Sequence, residues 1–157
     1  MKKLLILSAL AFFIFSSCKK EVTKVEKVDQ AFSAVYTIQP GDWTTDNNGL
    51  SYTAQLNVPE VNDALYQNGA VLVYLSFSGT NYYEAIPEVF DGIAYGAIHS
   101  NGYVGVDISS SVSGELIDPP TQSISAKVVL INASALAMHK DVNLKDLGEV
   151  QKTFHVQ

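Results

Sequence analysis

Leu50-Ser51-Tyr52-Thr53-Ala54-Gln55-Leu56-Asn57-Val58 places Leu50, Tyr52, Ala54, Leu56 and Val58 at every second position, with only polar residues between them. Successive side chains of a strand leave opposite faces, so this period of two predicts a strand with one face buried and the other in water. Ala70-Val71-Leu72-Val73-Tyr74-Leu75-Ser76-Phe77 follows, and is apolar almost without interruption. A run of that kind predicts a central strand covered on both faces.

Working outward from these two segments, the same logic predicts strands over residues 32–38, 82–86, 93–99, 103–109 and 123–131. Val104, Val106 and Ile108 share one face of the fourth, and Ile124, Ala126, Val128 and Leu130 share one face of the last. Pro40-Gly41 stops the first of them, Ser78-Gly79-Thr80-Asn81 is a turn, Pro87 ends the strand that the turn feeds, and Asn101-Gly102 is a hairpin signal. Asn62 is placed to cap a short helical turn at Asp63-Ala64-Leu65-Tyr66, closed by Gly69. Asn143 is expected to cap a C-terminal helix over residues 144–154, with Leu144, Leu147, Val150 and Phe154 on one stripe. Residues 109–122, with Ser109-Ser110-Ser111 and Pro119-Pro120, read as the longest loop and the most mobile surface. Short strands about ten residues apart with turn chemistry between them predict a mainly β fold. The expectation is an immunoglobulin-like antiparallel β-sandwich of about seven strands, with one short helical turn and a C-terminal helix.

The chain has 157 residues, 47% of them hydrophobic and 17% charged, with a net charge of −6, one cysteine and no arginine. This is the length of one domain, with too much apolar content for a disordered chain. A single cysteine excludes a disulfide framework. The acidic balance excludes nucleic acid as a partner, since binding a polyanion requires clustered basic residues.

The N-terminus has a separate logic. Met1-Lys2-Lys3 is a basic start, residues 4–15 carry no charge, and Ser16-Ser17-Cys18 follows, the three-part layout of a secretory signal peptide. Twelve apolar residues reach about 18 Å as a helix, short of the roughly 30 Å hydrocarbon core, so a permanent span is not expected. Phe15-Ser16-Ser17-Cys18 resembles the lipobox of bacterial lipoproteins, with Phe15 in place of the usual Leu. The resemblance implies cleavage before Cys18 and acylation of that cysteine, which would make it a membrane tether. Lys19, where retained inner-membrane lipoproteins of enterobacteria carry Asp, then favours the outer membrane.

Cleavage removes two lysines and no acid, leaving eight lysines against sixteen acids and a net charge of −8. Lys19, Lys20, Lys24 and Lys27 fall in the first ten mature residues, whereas residues 28–126 hold eleven acids and no Lys or Arg. The expected organisation is a signal peptide over residues 1–17, a lipidated cysteine and flexible Lys-rich spacer over 18–30, and a sandwich domain over 31–157.

Trp43, the block from Tyr52 to Asp63, Gly69-Ala70-Val71-Leu72-Val73-Tyr74-Leu75 and Tyr83-Glu84-Ala85-Ile86-Pro87 occur in an order similar to that of a group of small lipoproteins of Bacteroidota. The resemblance extends over most of residues 36–156. It implies an anchored single-domain envelope protein and brings no assigned chemistry with it.

No G-x-S-x-G, HExxH, CxxC or Gly-rich phosphate loop occurs, and His99, His139 and His155 are isolated in sequence. No catalytic, cofactor-binding or metal residue is therefore expected. Asp42 and Asp46 beside Asn47-Asn48-Gly49 offer oxygen ligands in the manner of a calcium loop, but a hairpin turn accounts for the same residues. Glu84, Glu88 and Asp91 would serve as an acid–base pair for glycoside cleavage only if they faced each other across a cleft; a solvated acidic face is favoured. Trp43, Tyr82 and Tyr83, with Tyr95 and Tyr103, form a ligand platform if exposed and core filling if turned inward, and the core reading is favoured. The functional expectation is a membrane-anchored envelope lipoprotein whose domain is a non-enzymatic binding or structural module for an envelope protein or glycan. A glycan-binding or weakly glycan-active accessory domain is the alternative.

Overall fold

A computed structural model describes residues 30–77 and 82–157, and Cys18 with its flanking signal and spacer lies outside them. Nine strands and three α-helices occur among the described residues: β1 (Ala31–Ile38), β2 (Trp43–Thr44), β3 (Ser51–Asn57), α1 (Asp63–Asn68), β4 (Ala70–Phe77), β5 (Glu84–Ile86), β6 (Glu88–Phe90), β7 (Ile93–Ser100), β8 (Tyr103–Ser110), β9 (Ile124–Ile131), α2 (Ala133–Met138) and α3 (Leu147–Phe154). The strands form two antiparallel sheets, in the orders β1-β9-β4-β5 and β2-β3-β8-β7-β6. This is the expected sandwich, with a strand order of its own in which the first and last strands pair, Ala31 opposite Ile131 and Ile38 opposite Ile124. The count exceeds the expected seven because β2 and β6 are short edge strands.

The alternating faces close on one another. Ala54 and Leu56 of β3, Val104, Val106 and Ile108 of β8, Val73 and Leu75 of β4, and Ile124, Ala126, Val128 and Leu130 of β9 are buried together between the sheets. Leu50, first of the opening alternation, lies just before β3 and is 40% exposed. The other face of the β4–β9 pair is also covered: Tyr74, Val129 and Ile131 pack against Ala135 of α2 and Val150 and Phe154 of α3. A third layer of helices thus explains why β4, and β9 from Val128 onward, are apolar on both faces.

Asn62 caps α1, its side-chain oxygen accepting from the Leu65 amide at 3.1 Å. The C-terminal helix corrects the expected start. Asp146, not Asn143, is its N-cap and accepts from the Glu149 amide at 3.0 Å, so the helix begins at Leu147. Asn143 instead accepts from the Lys145 amide at 3.1 Å in a local turn that competes with helix. Leu144 and Leu147 still pack against the outer cluster. Helix α2, which was not expected, is capped by Asn132 accepting from Ala135 at 2.9 Å. The loop after β8 is tied down by backbone bonds from Ser111 to Gly92 at 2.8 Å and from Ile117 to Gly49 at 2.9 Å.

Candidate functional site

The two sheets leave an opening where the chain passes from one to the other. β5 is the edge of the first sheet and β6 the edge of the second, joined through the cis Ile86–Pro87 bond. Glu84 and Ile86 stand opposite Leu75 and Val73, whose side chains face the core; Ala85 stands opposite Tyr74, which belongs to the outer cluster. At the edge the core face is left uncovered, and a groove of about 610 Å³ opens there. Its lining is Phe77, Tyr82, Glu84, Ile86, Glu88, Val89, Phe90 and Tyr95.

The floor is aromatic. Phe77 stacks on Phe90 at 6.0 Å with a 20° interplanar angle and meets the Tyr95 ring edge to face at 5.3 Å and 69°. Burial pushes the Tyr95 phenol above its ordinary pKa, with the nearby charge of Asp91 adding to the effect. The rim is exposed: Tyr82 is 73% accessible, Phe90 62% and Val89 55%. Glu84 and Glu88 are exposed too, and the Glu88 carboxylate accepts a 3.2 Å bond from the Val89 amide.

The structure separates the aromatics that the sequence offered as one platform. Trp43 is buried in the core on β2, the opposite edge of its sheet from β6, so it is no part of an exposed surface. Its Nε1 is buried and has no acceptor among the described residues. Tyr82 lines the groove, whereas Tyr83 packs on the outer cluster with the Lys127 ammonium 5.3 Å from its ring centroid. Neighbouring side chains of an extended chain leave opposite faces, and where residues 82–83 lead into the edge strand β5 those faces have different neighbours. Tyr95 lies in the groove, and Tyr103 stands at the far end of the β7–β8 hairpin. Phe77, Val89 and Phe90 escaped the sequence reading. Asp91-Gly92 was the available signal: both residues have positive φ, 49° and 77°, in a two-residue turn linking β6 to β7.

The remaining candidate groups have structural employment. The Asp42 carboxylate accepts from the Gln39 amide at 2.7 Å, and Asn47 Oδ1 accepts from the Ser51 amide at 2.9 Å, so both serve a turn. His99 lies against Tyr66, His139 against Phe154, and His155 ends α3 in a left-handed conformation. Among the described residues no three His, Cys, Asp or Glu side chains group as metal ligands, and no helix is long and apolar enough to cross a membrane.

No family model, curated protein or solved structure matches the chain. The groove must be interpreted from its own chemistry.

Proposed function

We propose that this chain is a lipid-anchored protein of the cell envelope, tethered through Cys18, whose sandwich is a non-enzymatic binding module acting through the β5–β6 groove. The observation that carries the binding role is the concentration of Tyr82, Val89 and Phe90, all more than half exposed, around one concavity with an aromatic floor. Water-exposed rings gathered at a cleft lose apolar surface to solvent only when a ligand covers them. The lining favours binding, since it is mostly rings and aliphatic carbon and its two carboxylates, Glu84 and Glu88, are exposed to water. Anchoring rests on the lipobox-like Phe15-Ser16-Ser17-Cys18 and the lysines that follow it, and the placement of Lys19 favours the outer membrane.

The glycan reading is the second, favoured by Tyr82 and Phe90 sharing the groove with Glu84 and Glu88. Two experiments test the proposal. Metabolic labelling with a palmitate analogue should mark the wild type and not Cys18→Ala; equal labelling removes the anchor. Binding to an envelope extract, resolved into lipid, peptide and glycan fractions, should saturate, vanish in Phe90→Ala and survive in Val35→Ser on distant β1. Loss in both variants, or in neither, removes the groove as the binding site.

A further inference from the structure

The groove is apolar in its lining but not neutral in its field. Glu84 and Glu88 line it, with no lysine in the lining, and Asp91 stands on the adjoining turn; Lys145 lies in a neighbouring concavity that shares Tyr82 and Glu84, and there Asp146 accompanies it. Lys127 is engaged on the other side of the β5 edge, over the ring of Tyr83. A wholly apolar ligand would cover these carboxylates without neutralising them, and an anion would be repelled. A hydrated metal ion needs a shell of oxygen ligands, which a lining dominated by rings does not provide. A cation whose charge is spread over alkyl groups meets both halves of the lining, because aromatic faces and carboxylates each attract it.

Building on the binding role of this groove, we propose that its ligand is a small organic cation, an alkylated ammonium carried on an apolar body. The ammonium lies against the exposed faces of Tyr82 and Phe90 with Glu84 and Glu88 as counter-ions, and the body extends over Phe77 and Tyr95. The volume of about 610 Å³ exceeds a trimethylammonium group alone and leaves room for that body.

Three probes of nearly one shape separate charge from size: choline, its neutral carbon isostere 3,3-dimethyl-1-butanol, and the anion 3,3-dimethylbutanoate. With the full-length chain, followed by ligand-observed NMR, choline should saturate and bind at least about fivefold more tightly than the alcohol, with the anion weakest. Salt at about 0.5 M should weaken choline and leave the alcohol unchanged. Glu84→Gln with Glu88→Gln should erase the difference between choline and the alcohol, whereas Tyr82→Ala or Phe90→Ala should weaken choline about fivefold. Both rings are exposed at the rim, and either variant serves if the other fails to fold.

Equal binding of choline and the alcohol, lost in Phe90→Ala, overturns the cation and leaves the groove as a binding site. Choline binding that ignores both the ring and the carboxylate variants overturns the site. If none of the three probes binds while the envelope extract still binds through Phe90, the ligand class is wrong and the binding role stands.

Discussion

The Tyr74 hydroxyl donates to the Leu144 carbonyl at 2.7 Å, linking the central strand of the first sheet to the segment that precedes the last helix, seventy residues later. Tyr74 is fully buried, and burial together with the nearby Asp146 charge pushes its phenol up to about 12. Tyr74→Phe should lower stability by about 1 kcal/mol, since it leaves a carbonyl without its donor. The same residue sets an alkaline limit. Its folded pKa lies above the unfolded value of 10, so the folded state holds the proton more tightly. That contribution is complete below pH 10 and is lost as pH rises towards about 12. Guanidinium unfolding at stepped alkaline pH should show a shallower decline for Tyr74→Phe than for wild type; parallel declines would assign the effect to Tyr36 and Tyr95, whose phenols burial also raises.

The helical layer should depend on Phe154. It is 5% exposed, packs in the outer cluster and meets His139 edge to face at 5.4 Å. Phe154→Ala should cost about 3–5 kcal/mol in urea unfolding, the range for removing a buried ring. A loss under about 1 kcal/mol would mean that α3 contributes little to covering Val129 and Ile131.

Gly69 is required by a close approach, not by its torsions. A Cβ there would sit 2.7 Å from the Ile131 carbonyl oxygen and 2.9 Å from that of Leu65, both backbone atoms. Gly69→Ala should therefore destabilise by about 1–3 kcal/mol. Gly41→Ala, where a Cβ meets nothing within 4 Å, is the control and should change stability by less than about 0.5 kcal/mol.

Trp43 tests which aromatics are core. Trp43→Ala should cost about 3–5 kcal/mol. Trp43→Phe removes an N–H that has no acceptor among the described residues, along with part of the ring, and the two effects offset, leaving a loss of about 1.5 kcal/mol or less. A Phe variant as unstable as the Ala variant would show that Nε1 has a partner after all. Neither change should alter choline binding, because Trp43 and the groove lie at opposite edges of the second sheet.

Much of the fold was legible because its rules are local. Alternation at Leu50 to Val58, the unbroken run at Ala70 to Phe77 and the turn at Asn101-Gly102 each follow from the period of a strand and the torsions of a few residues. Asn62 as a cap is equally local, since the amide it satisfies is three residues away. The start of α3 was misread because two capping residues, Asn143 and Asp146, stand three apart and both find amides.

What the sequence by itself determined, then, was the set of main strands, the face each would bury and the need for cover on both sides of β4. Only the tertiary structure decided where the sandwich stays open. Tyr82 and Tyr83 are adjacent and chemically alike, yet one lines the groove and the other packs under Lys127, because their surroundings come from β6 on one side and from β9 on the other. Trp43 and Phe90 are both large aromatics on edge strands, and one is buried while the other is 62% exposed. A strand's period assigns side chains to faces; whether a face is covered depends on which distant segments pair beside it, and no local pattern carries that information.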